Sequence, residues 1–428
     1  MRCIKYLLII IFLSPFALFA QDTLFLSREA SEALFLKENI QLLAEKLEIS
    51  HAEAKLIQAK LWPNPTLEID EVNLWTNNQL QDTLEGFNGG NFGKNQQVAI
   101  AVEQLIYTAR KRKKLVAIEE ISLEQSKEYF EDVLRILKIE FRKQLTEFQF
   151  LQQLKEVYGA QFNSIQTLSK AYKNQLEQGN IGKGEYIRLK ASELEISKNL
   201  NDLNNAINKS ESELKILMHL PANTILKIQN EGYKKDVNSL HDVSLNQLID
   251  SAKENRPDFK IAALEESYYN SLLRYEKAKR VPDLSLKAGY DRGGGIMYDF
   301  VGFGLSIDLP FFDRNQGNIQ SARVGIEQAE LKFKEKELRV ENEIVLAYKN
   351  LHAAITFFEQ IDSNYEETID ELLVSYTKNF SNRNINIVEY LDFLDAYLEN
   401  KKIILEAILE VNVKAEELNF SVGSDIVQ

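Results

Sequence analysis

The sequence predicts a mainly α-helical protein with a membrane-spanning β part, built from two tandem helix–strand–strand–helix–helix repeats. Three observations carry this. Residues recur in the same order at an offset of 204 or 205, long proline-free stretches hold apolar stripes, and four short segments alternate apolar and polar residues.

The first 20 residues read as an export signal. Arg2 and Lys5 precede the apolar run Leu7–Leu13, and Leu18-Phe19-Ala20 forms a cleavage site before Gln21. A spanning helix needs roughly 20 apolar residues, so this run is short for one; a retained anchor is the alternative. The single cysteine, Cys3, lies inside the signal. The mature chain is therefore expected to have no disulfide, thiolate metal site or cysteine nucleophile, as suits a bacterial envelope protein. Removing Arg2 and Lys5 from the 51 basic residues leaves 49 against 64 acidic ones, a net charge of −15. That excludes nucleic acid as a partner and leaves cationic cargo or a basic protein surface.

The first repeat covers residues 21–229. A helix is expected from Ser27 to Leu61, ended by Pro63 and Pro65. Strands follow at about 66–75 and 96–107, separated by a polar loop through Gly93. A helix over about 108–178 comes next, then a closing helix over about 185–220. From Phe130 through Leu145, Tyr158 and Ile165 to Tyr172, apolar residues advance only by threes and fours. That stripe means helices packed along their lengths. At ~1.5 Å per residue the long helix reaches ~100 Å, more than a globular core requires.

A polar linker, 230–246, leads to the second repeat, 247–428. It gives a helix to about Arg280, strands at about 283–290 and 299–312, a long helix to about Asn379 and a last helix from about Val388. Tyr172, Asn180, Ile181, Glu185 and Tyr186 recur as Tyr376, Asn384, Ile385, Glu389 and Tyr390; Lys37-Glu38-Asn39 recurs as Lys253-Glu254-Asn255.

Strands of about ten residues with alternating faces fit a tilted span of a bilayer. Four of them cannot close a barrel, and an open sheet edge cannot face lipid. Several chains must then share one barrel, and three would supply twelve strands. The joints Pro63, Pro65, Pro282 and Pro310 mark where strand meets helix, since proline ends either ladder. Asp313 with Gln316 forms a capping pair ahead of Gly317, and Thr108 is the expected cap of the joint that has no proline.

The stretches W-P-N-P-T-L (62–67), L-P-F-F-D-R-N-Q-G-N-I (309–319) and N-I-N-I-V-E-Y-L-D (384–392) resemble the outer-membrane efflux protein family, the TolC-like channels. The resemblance covers essentially the whole mature chain. It implies a homotrimer with one shared twelve-stranded barrel in the outer membrane and a long helical barrel crossing the periplasm. It implies a passive exit duct that docks a periplasmic adaptor (membrane fusion) protein and an inner-membrane pump of the resistance-nodulation-division type. Residues 309–319 are most similar to the cobalt–zinc–cadmium subgroup, which adds heavy-metal cations as a cargo class.

By this resemblance the two helical breaks form the closed periplasmic tip and the adaptor contact: Gly179, Asn180, Ile181, Gly182 and Lys183 in the first, Asn384, Ile385 and Asn386 in the second. From the residues alone, the glycines of the first break permit a tight turn, and both readings hold together. The second break lacks glycine and relies on asparagine. Glu389 and Asp392 share a helix face and match the family's V-D-V-L-D acids, with glutamate for the first aspartate. In a trimer they would form stacked carboxylate rings that favour cations; an ordinary solvated face is the other reading. Arg110–Lys114 open a long helix against its dipole and therefore need compensation. Outer-membrane lipid phosphates or bulk solvent could each supply it. Trp62 and Trp75 bracket the first strand as belt residues or as ordinary packing.

His51, His219, His241 and His352 show no metal-ligand spacing, so no metal and no cofactor is expected. No nucleophile or phosphate-binding motif occurs, and Gly293-Gly294-Gly295 reads as a turn, so no enzyme is expected. A periplasmic adaptor or a structural coiled-coil protein is the alternative. An adaptor should show glycine-rich lipoyl-like strands, and a coiled coil leaves the four strands unexplained.

Overall fold

The computed structural model describes residues 23–73, 97–231, 233, 244–292, 299–362 and 364–426. The export signal with Cys3, Trp75, the loop through Gly93, Gly293–Gly295, His241 and most of the linker lie outside these residues.

Helix α1 (Arg28–Glu38) starts where the Ser27 hydroxyl accepts the Ala30 N–H at 3.1 Å, and α2 (Ile40–Lys60) follows. The sequence predicts one helix here; the structure divides it at Asn39. That side chain accepts the Leu42 N–H at 3.0 Å and donates to the Leu217 carbonyl at 2.8 Å. A side chain thus takes over backbone groups that an unbroken helix would pair. The second repeat breaks at the same motif. Helix α5 (Leu245–Asn255) ends, and α6 (Pro257–Lys279) begins with proline in its first position, where no N–H is required.

Helix α3 (Lys111–Glu177) is 67 residues long, or ~100 Å, and α4 (Lys183–Leu217) returns from it. The second repeat departs from its predicted uninterrupted helix. It forms α7 (Gln316–Glu359), then α8 (Tyr365–Ser381) and α9 (Ile387–Val422). The end of α7 tightens through Gln360 N–H to Phe357 carbonyl and Ile361 N–H to Phe358 carbonyl, both 3.1 Å. Asp362 and Asn364 follow, residue types that compete with helical hydrogen bonds.

Strands β2 (Thr66–Asn73), β3 (Gln97–Ile106), β5 (Leu284–Arg292) and β6 (Phe300–Ile307) form one antiparallel sheet in that order. Strand β6 stops five residues before the expected 312. Pro310 offers no donor, and the Phe311 N–H folds back onto the Leu309 carbonyl at 2.9 Å. A parallel pair, β1 (Thr23–Leu26) with β4 (Ile225–Ile228), was not predicted; four residues carry too little alternation to be read.

Two compact units cut across the repeats. One takes the chain up to Leu43, Leu134–Asn255 and Asn342 onward; the other takes Ala44–Val133 and Arg256–Glu341. In the first, α3, α4, α8 and α9 bury the predicted stripe, with Leu145, Ile165, Leu189 and Leu394 fully enclosed. Tyr233, from the linker, anchors there through its hydroxyl to the Leu405 carbonyl at 3.2 Å. The second unit holds the four-stranded sheet and packs α6 on α7, where Phe259 and Phe333 meet at 5.0 Å and the Tyr269 ring lies against Gly325.

Candidate channel wall, joints and tips

The register of the sheet sorts its side chains by face, because the side-chain period is two. One face carries Ile69 opposite Ile100 opposite Tyr290 opposite Val301, and Leu67 opposite Val102 opposite Ala288 opposite Phe303. Leu286, Leu305 and Ile307 extend it. Phe303 is 87 % exposed, and the large apolar side chains on this face are exposed as a group. The opposite face carries Glu68, Asp70, Glu103, Lys287 and Asp291, with Lys287 paired to Glu68. Gly289, Gly302 and Gly304 keep this polar face low. Strands β2 and β6 are the edges, each with one partner among the described residues.

Below the sheet, each joint has its own chemistry. The Pro63 carbonyl accepts from Gln104 Nε2 at 3.0 Å, and Pro65 directly precedes β2. Thr108 does not cap α3 through its hydroxyl. Its N–H donates to Asp283 at 2.8 Å and its hydroxyl to the Pro282 carbonyl at 2.6 Å, which ties the end of β3 to the start of β5. Ala109 and Arg110 then turn through the left-handed region before α3 starts. Asp283 also holds Lys111 at 2.7 Å, and Arg112 stacks over the Trp62 ring at 4.1 Å. The Asp283 contact compensates the charge of Lys111.

The Asp313/Gln316 pair forms no reciprocal capping box, since Asp313 lies three residues ahead of Gln316, the first residue of α7. Asp313 accepts the Asn315 N–H and Gln316 accepts the Arg314 N–H, both at 2.8 Å. The left-handed residue that opens α7 is Asn315, which donates to the Glu276 carbonyl at 2.9 Å. Gly317 sits in open space, so no close approach demands it.

The two tips share one geometry. In the first, Asn180 N–H reaches the Gln175 carbonyl at 2.9 Å and Gly179 N–H the Leu176 carbonyl at 3.0 Å, with Gly179 at φ 75°. In the second, Asn384 N–H reaches Asn379 at 2.9 Å and Arg383 N–H reaches Phe380 at 3.0 Å, with Arg383 at φ 61°. Both are Schellman closures. The left-handed residue of the second is thus Arg383, not one of the asparagines. Gly182 caps α4 without a side chain, and Ile181 and Lys183 complete the first turn; Ile385 and Asn386 complete the second. Tyr172, Phe380 and Tyr390 stack at 5.5 and 4.5 Å, joining the two hairpins beside their tips.

Glu389 closes a capping box. Asn386 Oδ1 accepts the Val388 and Glu389 N–H groups, and the Glu389 carboxylate accepts the Asn386 N–H at 3.3 Å. Asp392 is exposed one turn on. Partial burial, then Glu195, then Asp392 raise the Asp395 pKa above the usual carboxylate value. The acidic patch therefore spans α4 and α9.

Residues 248–423 match the family described as Outer membrane efflux protein. The matched segment takes in most of the second repeat. Over 150 residues it is 25% identical to the cobalt-zinc-cadmium resistance protein CzcC of Cupriavidus metallidurans, an alignment spanning 35% of each protein. Among solved structures, CusC is 15% identical with a TM-score of 0.70 and 92% coverage of both chains. The Campylobacter jejuni outer membrane channel CmeC is 13% identical with a TM-score of 0.73, covering 93% of this chain and 85% of its own. These likenesses give the fold: a TolC-like arrangement of helices and strands.

Within this fold, the structure brings Asp392 together with Asp395 and Glu195, neither of which the sequence singles out. Asp395 was within reach, three residues beyond Asp392; Glu195 lies on a different helix and only packing brings it there. Among the described residues no group of three or more His, Cys, Asp or Glu is placed to hold a metal ion, and no helix is long and apolar enough to cross a membrane.

Proposed function

We propose that this chain is the outer-membrane exit duct of a tripartite efflux system. It acts as a homotrimer in the outer membrane, extends into the periplasm, and passes cargo without chemistry of its own. One observation carries the reading: a four-stranded sheet with an exposed apolar face, an acidic opposite face and two unpaired edges. Such edges cannot remain open in lipid. Joining β6 of one copy to β2 of the next closes three copies into a twelve-stranded barrel, apolar outside and polar within.

Among the described residues, each copy then lines the pore with Glu68, Asp70, Glu103 and Asp291 against Lys287, an excess that favours cations. This supports metal cations as cargo, as does the similarity to a protein named for cobalt, zinc and cadmium resistance. The two Schellman tips are the adaptor contact, through Gly179–Lys183 and Asn384–Asn386. Asp392 carries the periplasmic carboxylate ring, with Glu389 partly committed to its cap. The adaptor is a membrane fusion protein, and the pump is of the resistance-nodulation-division type.

Membrane fractionation with gel analysis of unheated and heated samples tests this. The protein should partition with the outer membrane and run as a heat-modifiable trimer; a water-soluble monomer would overturn the reading. Gene deletion should sensitise cells to one or more of zinc, cobalt, cadmium and copper, and equal tolerance to all would remove the metal cargo. Glu389→Gln with Asp392→Asn should lower cation preference in single-channel recordings.

A further inference from the structure

The second compact unit contains a cavity of about 630 Å³. Its walls come from three of the strand–helix joints. Lys55 lies in the last turns of α2 and Trp62 just past it, ahead of β2; Tyr107 follows β3 and Arg112 is in the first turn of α3; Tyr275 and Lys279 lie at the end of α6 ahead of β5. Four cations and two carboxylates line it, an excess of positive charge in a chain that is acidic overall.

Not all of that charge is compensated. Lys111 is held by Asp283 at 2.7 Å, and Lys279 by Glu276 at 2.8 Å. Arg112 gives one donor to the Lys60 carbonyl at 2.7 Å and rests its plane on Trp62, which is 60 % exposed. Among the described residues no carboxylate pairs with Arg112 or with Lys55. A guanidinium has five N–H donors in a fork that matches tetrahedral oxyanions. Stacking on an indole holds that fork flat while its other edge stays open.

We propose that this cavity binds the phosphate of an anionic glycerophospholipid in the inner leaflet of the outer membrane, with Arg112 and Lys55 as the phosphate ligands. The proposal rests on the exit-duct reading. The exposed apolar face of the sheet ends at the level where Trp62, Tyr107 and Tyr275 begin, which is where acyl chains give way to headgroups. Trp and Tyr suit that boundary because one end of each is apolar and the other polar. The phosphate would supply the countercharge that a basic run at a helix N-terminus requires. Lys111, already neutralised, keeps the joint closed whether or not a lipid is present.

The test uses the full-length trimer purified in mild detergent, with native mass spectrometry of retained lipid. Phosphatidylglycerol is titrated onto the delipidated trimer, with inorganic phosphate and a diacylglycerol lacking phosphate as comparison ligands. Arg112→Gln with Lys55→Gln should weaken phosphatidylglycerol retention on the order of tenfold or more, because charge-assisted bonds are lost. Diacylglycerol should not be retained. The single variant Lys55→Gln, at an exposed position, and Arg112→Lys, which keeps charge but not the fork, should weaken retention by smaller factors. Equal retention by the native and double-variant trimers would overturn the site, as would a native trimer that retains no phospholipid. Inorganic phosphate competing as well as phosphatidylglycerol would make free phosphate the ligand and overturn the lipid assignment. Failure to obtain any membrane trimer from the native chain would remove the exit-duct reading, and the site with it.

Discussion

Arg142 on α3 is the hub of an ionic cluster that fastens both ends of the described chain. It donates to Glu32 on α1 at 2.7 and 3.0 Å, to Asp425 beyond α9 at 2.7 Å, and to Glu416 on α9 at 3.1 Å. Its side chain is 14 % exposed and that of Glu416 only 3 %. Replacing Arg142 with leucine leaves Glu416 enclosed, with Arg28 at 3.6 Å. Breaking a buried pair costs about 3–5 kcal/mol. The lower end applies, since Arg28 and Lys138 partly compensate. Burial pushes the Asp425 carboxyl up, but hydrogen bonds from Arg142 and Lys138 outweigh it and bring its pKa to about 2 from 3.8. At ~1.4 kcal/mol per unit, reduced for screening of a side chain more than a third exposed, Asp425 accounts for about 1 kcal/mol of this total.

The assay is hydrogen exchange of the peptide covering the end of α9, measured on the detergent-purified trimer. A local loss of about 3 kcal/mol should speed exchange on the order of a hundredfold. The pH dependence has a definite sign. A carboxylate with a depressed folded-state pKa contributes stability that is present above 3.8 and lost as pH falls through about 2. The native protein should therefore lose protection of this segment across that window, and Arg142→Leu should show little further loss there. Acceleration of less than about threefold at neutral pH would refute the claim that this cluster fastens the ends.

Three further expectations concern other parts of the molecule. A Cβ at Gly325 would fall 2.3 Å from Tyr269 Cδ1, so Gly325→Ala should destabilise by about 1–3 kcal/mol despite its better helix propensity, and Tyr269→Leu should restore much of the loss in thermal unfolding. Arg383→Gly should slow exchange at the second tip by up to about 1 kcal/mol, because glycine occupies the left-handed region without strain; faster exchange would show that the arginine side chain holds the turn. Asp395→Asn should stabilise the tip at neutral pH by about 0.3 kcal/mol. Its raised pKa means that the protonated form favours folding below 3.8 and that this benefit disappears as pH rises through the folded-state value, so the gain from asparagine should vanish in acid.

Much of the candidate site was legible from the chain, though not all of its geometry. The break residues around Gly179 and Asn384 stand out because they interrupt stripes that otherwise advance by threes and fours. Arg383 as the left-handed residue did not stand out, since an arginine carries no local signal for that conformation and only the closure around it selects it. Likewise Asp313 and Gln316 look like a helix cap, yet Asn315 begins the helix because its amide is held by Glu276 of α6. Thr108 looked like a cap and proved to be a clamp, since its hydroxyl donates to the Pro282 carbonyl of the other repeat.

Local periodicity by itself determined that the chain would form four amphipathic strands and very long helices, because alternation and the three–four stripe are properties of neighbouring residues. Proline placement marked the joints at Pro63, Pro65, Pro282 and Pro310, though not the one at Thr108. Only the tertiary structure decided where helices would break without proline, as at Asn39 and near Asp362, and which charges would meet. The break at Asn39 and the charge pairings depend on groups more than a hundred residues apart, Asn39 with Leu217 and Arg142 with Glu416, and no local pattern encodes a partner at that distance.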